Sequence, residues 1–85
     1  MKNFSYTIKD PVGIHARPAG LLVKRASGFS SKITIKTDKG TADAKRLFGI
    51  MGLGVKTGVT VEVIVEGADE EQAAAELEKL FKEML

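Results

Sequence analysis

The sequence predicts an α+β fold in the order βαββαβα, with helices on one side of a four-stranded antiparallel sheet and water on the other. Three observations carry that reading. Short runs alternate apolar and polar residues, the pattern of strands buried on one face only. Two longer runs bring apolar residues back at helical spacing, so each has one stripe to bury. The longer strands keep a largely polar second face (Ser5, Thr7, Lys9; Lys32, Thr34, Lys36; Thr60, Glu62, Glu66), which leaves that side of the sheet to solvent. Lysines and glutamates of neighbouring strands are expected to pair across it, at roughly 0.2–1 kcal/mol each.

In chain order, Phe4, Tyr6 and Ile8 alternate with Ser5, Thr7 and Lys9 as the first strand, and Asp10-Pro11-Val12-Gly13 breaks it. Ala19, Leu22, Val23 and Ala26 then fall at i, i+3, i+4 and i+7, the stripe of a helix that starts at Ala16. Pro18 suits its first turn, and Gly28 predicts a left-handed stop. Lys32 to Thr37 alternates again, and Asp38-Lys39-Gly40 predicts a tight reversal into a short return strand over Thr41 to Asp43. Leu47 to Gly54 is apolar and glycine-rich, which fits roughly one to two helical turns ending near Gly52 or Gly54. After a turn at Thr57-Gly58, Val59, Val61, Val63 and Val65 alternate with Thr60, Glu62, Ile64 and Glu66 until Gly67. Asp69-Glu70-Glu71-Gln72 has the capping-box form, with Asp69 accepting from the Gln72 N–H. It opens a last helix whose stripe is Ala73, Ala74, Leu77, Leu80, Phe81 and Met84.

A chain of 85 residues and 9.1 kDa is expected to be one domain spanning 1–85, too small for a buried cofactor pocket beside a separate catalytic apparatus. No cofactor is expected. The absence of cysteine removes disulfides, thiolate nucleophiles and Cys-based zinc sites. His15 is the only imidazole and most carboxylates sit in the last strand and helix, so no metal site is expected. No apolar run approaches the roughly 20 residues of a membrane span, and Met1-Lys2-Asn3 does not open a signal peptide, so a soluble, cytoplasmic protein is expected. Residues 1–58 carry 11 Lys/Arg against three acids, 11 − 3 = +8, whereas residues 59–85 carry two lysines against eight acids, 2 − 8 = −6. That split suits an acidic partner, or simply solvates the faces that bear it. Nucleic acid is not expected, because five aromatics come without any recognition-helix or RNA-binding signature.

The chemistry concentrates at Gly13-Ile14-His15-Ala16-Arg17-Pro18. His15 stands where a helix begins, beside N–H groups of Ala16 and Arg17 that lack intrahelical acceptors. Such helix starts bind phosphate, beside which the ring offers a nitrogen able to attack. Arg17 adds a planar fork that matches phosphate oxygens. Together these groups suit the acceptance and release of a phosphoryl group, a reaction governed by positioning and charge. The spacing equally fits a surface histidine that only caps the helix, with Arg17 merely solvated. Gly49-x-x-Gly52-x-Gly54 is not a phosphate loop, since no Gly-Lys-Ser/Thr follows and no strand precedes it in a βαβ unit. Without a nucleotide site, phosphate on His15 has to come from another protein. A second face of the first helix (Arg17, Gly20, Leu21, Lys24) joins Leu47, Phe48 and Met51 in an apolar patch rimmed by Arg17, Lys24, Arg46 and Lys56, although some of these apolar side chains complete the core instead.

Gly13-Ile14-His15-Ala16-Arg17-Pro18-Ala19 resembles the active-site signature of HPr, the histidine-containing phosphocarrier family of the phosphoenolpyruvate:sugar phosphotransferase system. Lys45 to Gly54 is similar to the family's second motif, and the likeness spans all 85 residues. The resemblance implies an open-faced β-sandwich. It also implies that His15 takes a phosphoryl group on Nδ1 from phosphorylated enzyme I and passes it to sugar-specific IIA domains, with Arg17 and the main chain of Ala16 and Arg17 holding the phosphate. A monomer would dock both partners through Ala16, Arg17, Gly20, Leu21, Lys24 and Ser27 on one side. Arg46, Leu47, Phe48, Gly49, Met51, Gly52 and Lys56 would form the other. Where one branch of the family has a regulatory serine this chain has Arg46, and Gly20 and Gly52 replace a bulkier residue and a frequent serine. Other readings of the same residues are a paralogue in a nitrogen-related or regulatory branch and a binding module that never carries phosphate.

Overall fold

Alternation sets the sheet. The computed structural model describes residues 1–85 and places β1 (Lys2–Thr7), β2 (Lys32–Thr37), β3 (Gly40–Asp43) and β4 (Thr60–Glu66) in one antiparallel sheet of order β1-β4-β2-β3. Phe4 faces Val63, Val63 faces Ile35, and Ile35 faces Ala42, so one apolar row runs across all four strands. Ile33, Ile35, Val61, Val63 and Val65 are fully buried on this side. Three helices cover it: α1 (Ala16–Ser27), the short α2 (Leu47–Gly52) and α3 (Glu70–Met84). Phe81 of α3 is fully buried over the edge strand β1, with the rings of Phe4 and Tyr6 edge-on at 5.7 and 5.9 Å, an arrangement aromatic pairs favour. The predicted open-faced β-sandwich is the observed fold.

Several local expectations change. Ile8 and Lys9 leave the sheet after Thr7, and Ile8 is buried in the core beyond the strand end. Val23, Ala74 and Met84 are half-buried at the edges of their stripes, while Pro18 joins the buried side of α1. Gly28 ends α1 at φ −77, so the helix stops without a left-handed residue. Lys36 and Lys32 lie opposite Glu62 and Glu66 in register, yet neither pair forms a salt bridge. The Asn3 amide instead donates to Glu62 at 3.0 Å, and the hydroxyls of Thr7 and Thr60 meet at 2.8 Å.

The capping box at Asp69 is also replaced. Asp69 makes no cap bond within α3; its carboxylate accepts the Ser30 N–H at 2.9 Å, the Ser31 N–H at 3.0 Å and the Ser31 hydroxyl. The Ser31 hydroxyl is the main cause, with the Ser30 and Ser31 N–H groups assisting, that holds this carboxyl down from an ordinary 3.8 to about 2. The Glu70 carboxylate reaches back instead, accepting the Gly67 N–H at 3.2 Å. Gly67 is required here: its φ is +155, and a Cβ would lie 2.7 Å from the Ser31 Cα. The start of α3 is thereby tied to the segment that links α1 to β2.

Candidate functional site

The loop between β1 and α1 carries the site, and it is fixed at both ends. The N–H groups of Lys9 and Asp10 both donate to the Leu85 carbonyl, at 2.5 and 2.8 Å. At the far end the Ile14 N–H donates to the Val55 carbonyl at 3.0 Å. Gly13 allows that approach, since at φ +82 a Cβ would sit 2.3 Å from the same Val55 oxygen. Ile14 is buried, and the chain then delivers His15 to the first position before α1.

His15 is half-buried and extended at φ −107, ψ −174. Its carbonyl accepts the Ala19 N–H at 3.0 Å, but its ring forms no capping bond. The imidazole is thus not consumed in capping the helix. The N–H groups of Ala16 and Arg17 have no acceptor within the chain, and Pro18 has no N–H to satisfy. No acidic residue lies in the first turn, so nothing negative competes for those donors. Arg17 is exposed and forms no ion pair. One unengaged imidazole, two unpaired amides and a free guanidinium therefore meet at one helix start, a combination suited to a phosphoryl group. No group of three His, Asp or Glu side chains is arranged to hold a metal ion.

The second predicted group lies where α1 packs against α2. Leu21 and Met51 are 40% and 39% exposed and Phe48 is 85% exposed, whereas Leu47 is half-buried and Ile50 is fully buried. Ala16, Lys24, Ser27, Gly49, Gly52 and Lys56 are exposed and Gly20 is half-buried. Lys24 and Lys56 have no acidic partner; Arg46 precedes α2 with its side chain 81% exposed and its Nε 4.0 Å from Asp43 Oδ2. The patch is apolar at Leu21, Phe48 and Met51 with a basic rim, and Leu47 contributes only in part. Sequence reasoning missed a shallow cavity of about 360 Å³ beyond Lys24, lined by Leu21, Lys24, Arg25, Gly28, Phe29 and Leu80. It also missed Lys45, whose ammonium donates to the Phe29 carbonyl at 2.8 Å, and the turn that Asp10 builds ahead of His15. The one signal that could have found the cavity is Phe29, apolar just past the end of the helical stripe.

Residues 2–83 match the family described as the PTS HPr component phosphorylation site. The chain belongs to the HPr family. It is 45% identical over 84 residues to the phosphocarrier protein HPr of Lysinibacillus sphaericus, covering 99% of this chain and 96% of the relative. The HPr-C-His structure from Thermoanaerobacter tengcongensis superimposes with a TM-score of 0.91 at 45% identity, over 96% of this chain and 92% of that one. A histidine-containing phosphocarrier structure from Mycoplasma gives 0.94 at 36% identity, over 96% and 93%. As an HPr, the protein is a phosphocarrier of the phosphotransferase system. No helix is long and apolar enough to cross a membrane.

Proposed function

We propose that His15 is the phosphoryl acceptor and that residues 1–85 act as one carrier domain. In this reading the Nδ1 lone pair forms an N–P bond as the bond from phosphorus to the donor, phosphorylated enzyme I, breaks. The step reverses toward the sugar-specific IIA domain, which takes the phosphoryl group and leaves the imidazole free. The Ala16 and Arg17 N–H groups and the Arg17 guanidinium hold the phosphoryl oxygens as charge redistributes among them. Phosphate arrives from and leaves for other proteins, so the chain turns nothing over alone.

The observation that carries this reading is the pair of unpaired main-chain donors beside a ring that caps nothing. The apolar patch at Leu21, Phe48 and Met51, with the uncompensated charges of Arg17, Lys24 and Lys56, serves both partners in turn. One surface for donor and acceptor calls for weak, fast association. The carrier acts in the cytoplasm as a monomer, without nucleic acid and without membrane insertion, although an HPr of Thermoanaerobacter tengcongensis has been crystallised as a dimer. Incubation with phosphoenolpyruvate and enzyme I tests the acceptor. An acid-labile phosphoryl group located by mass on the peptide that holds His15, and absent from His15→Ala, is the expected result. Phosphate on another residue, or none, would refute the assignment.

A further inference from the structure

Between its two anchors, at Leu85 and at Val55, the backbone of the loop ahead of His15 is bonded by one side chain. Asp10 Oδ1 accepts the Val12 N–H at 2.8 Å, and the Asp10 carbonyl accepts the Gly13 N–H at 3.0 Å. Pro11 between them has no N–H to offer, and it restricts Asp10 to extended backbone. The Asp10 carboxylate is the only side chain that hydrogen-bonds residues 9–14. The Val12 side chain packs on little, because the residue is 66% exposed. The His15 ring has no capping bond of its own, so the path of this backbone decides where the ring lies relative to the Ala16 and Arg17 amides.

We propose that Asp10 is a positioning residue for His15: by accepting the Val12 N–H, its side-chain oxygen sets the loop path that brings the imidazole to the unpaired amides of α1. What matters is the acceptor oxygen and not the charge, since an asparagine oxygen closes the same turn. The bond lies at the surface, and the proposal gives it no share in the stability of the core. It rests on the reading of His15 as acceptor.

Single-turnover uptake from phosphorylated enzyme I, measured over a range of carrier concentrations, tests it with wild type, Asp10→Ala and Asp10→Asn, each first melted to confirm cooperative folding. Asp10→Ala is expected to lower the saturating rate about tenfold, as a small misplacement of a reacting group does. The half-saturating concentration should stay within about twofold of wild type, because docking is untouched. Asp10→Asn should restore the saturating rate to within about twofold of wild type. A wild-type saturating rate in Asp10→Ala, an equal loss in Asp10→Asn, a loss confined to half-saturation, or failure of Asp10→Ala to fold would each overturn the proposal. If wild type itself takes no phosphate on His15, the reading beneath falls as well, and the two failures are told apart by that control.

Discussion

At position 46 a guanidinium stands 4.0 Å from Asp43 at the edge of the apolar patch, with its side chain 81% exposed. A separation this long between exposed groups ties up little of its charge, so Arg46 still contributes to the field met by an acidic partner. Arg46→Asp reverses that contribution and should slow transfer from enzyme I by about two- to tenfold at low salt, mainly through association, with the difference narrowing as salt rises. Unchanged kinetics across that salt range would remove Arg46 from the docking surface. At this scale the placing of His15 and Arg17 at a helix start was legible, because that start is written in the same few residues. Asp10 and Lys45 were not. The Lys45 ammonium meets a carbonyl 16 residues away, and Asp10 matters only once Leu85 and Val55 have fixed the ends of its loop.

At the scale of elements, strands and helices announce themselves because their periods are local, and α1, α2 and the β2–β3 hairpin fall where the apolar spacing and the turn residues put them. Asp69 shows where locality ends. Its spacing to Gln72 imitates a capping box, yet Ser30 and Ser31, 39 and 38 residues away, offer three donors that outcompete one N–H of α3. Because the folded carboxyl titrates near 2 and the unfolded one near 3.8, folding releases protons in that interval. The clamp therefore contributes stability above about pH 4 and loses it as pH falls toward 2. Asp69→Asn should melt lower than wild type at pH 7, and the gap should shrink in thermal melts between pH 4 and 2. A gap of constant size would contradict the clamp. Gly20 offers the opposite case, a helical position where a Cβ meets nothing within 4 Å. Gly20→Ala should raise stability by roughly 0.5–1 kcal/mol in denaturant titration, and a loss would mean that space is filled.

For the molecule as a whole, the two faces divide the work. The open side of the sheet is polar and bonded within itself through Asn3–Glu62 and Thr7–Thr60, while the helical side holds the core below and presents His15, α1 and α2 above. The charge split seen in the sequence follows the elements rather than the two faces: Arg17, Lys24, Arg46 and Lys56 gather on α1, before α2 and in the loop after it, and most carboxylates ride on β4 and α3. The fold class was readable from strand alternation together with the two helical stripes, but which of Leu47, Phe48, Ile50 and Met51 stays exposed depended on how α2 rolls against α1. The most direct measurement is the relay itself: the rate at which phosphoryl groups pass from charged enzyme I to a IIA domain at fixed carrier concentration. Wild-type chain should support rapid relay and His15→Ala, correctly folded, should support none above background. Relay by His15→Ala at the wild-type rate would show that the phosphoryl group travels by another route.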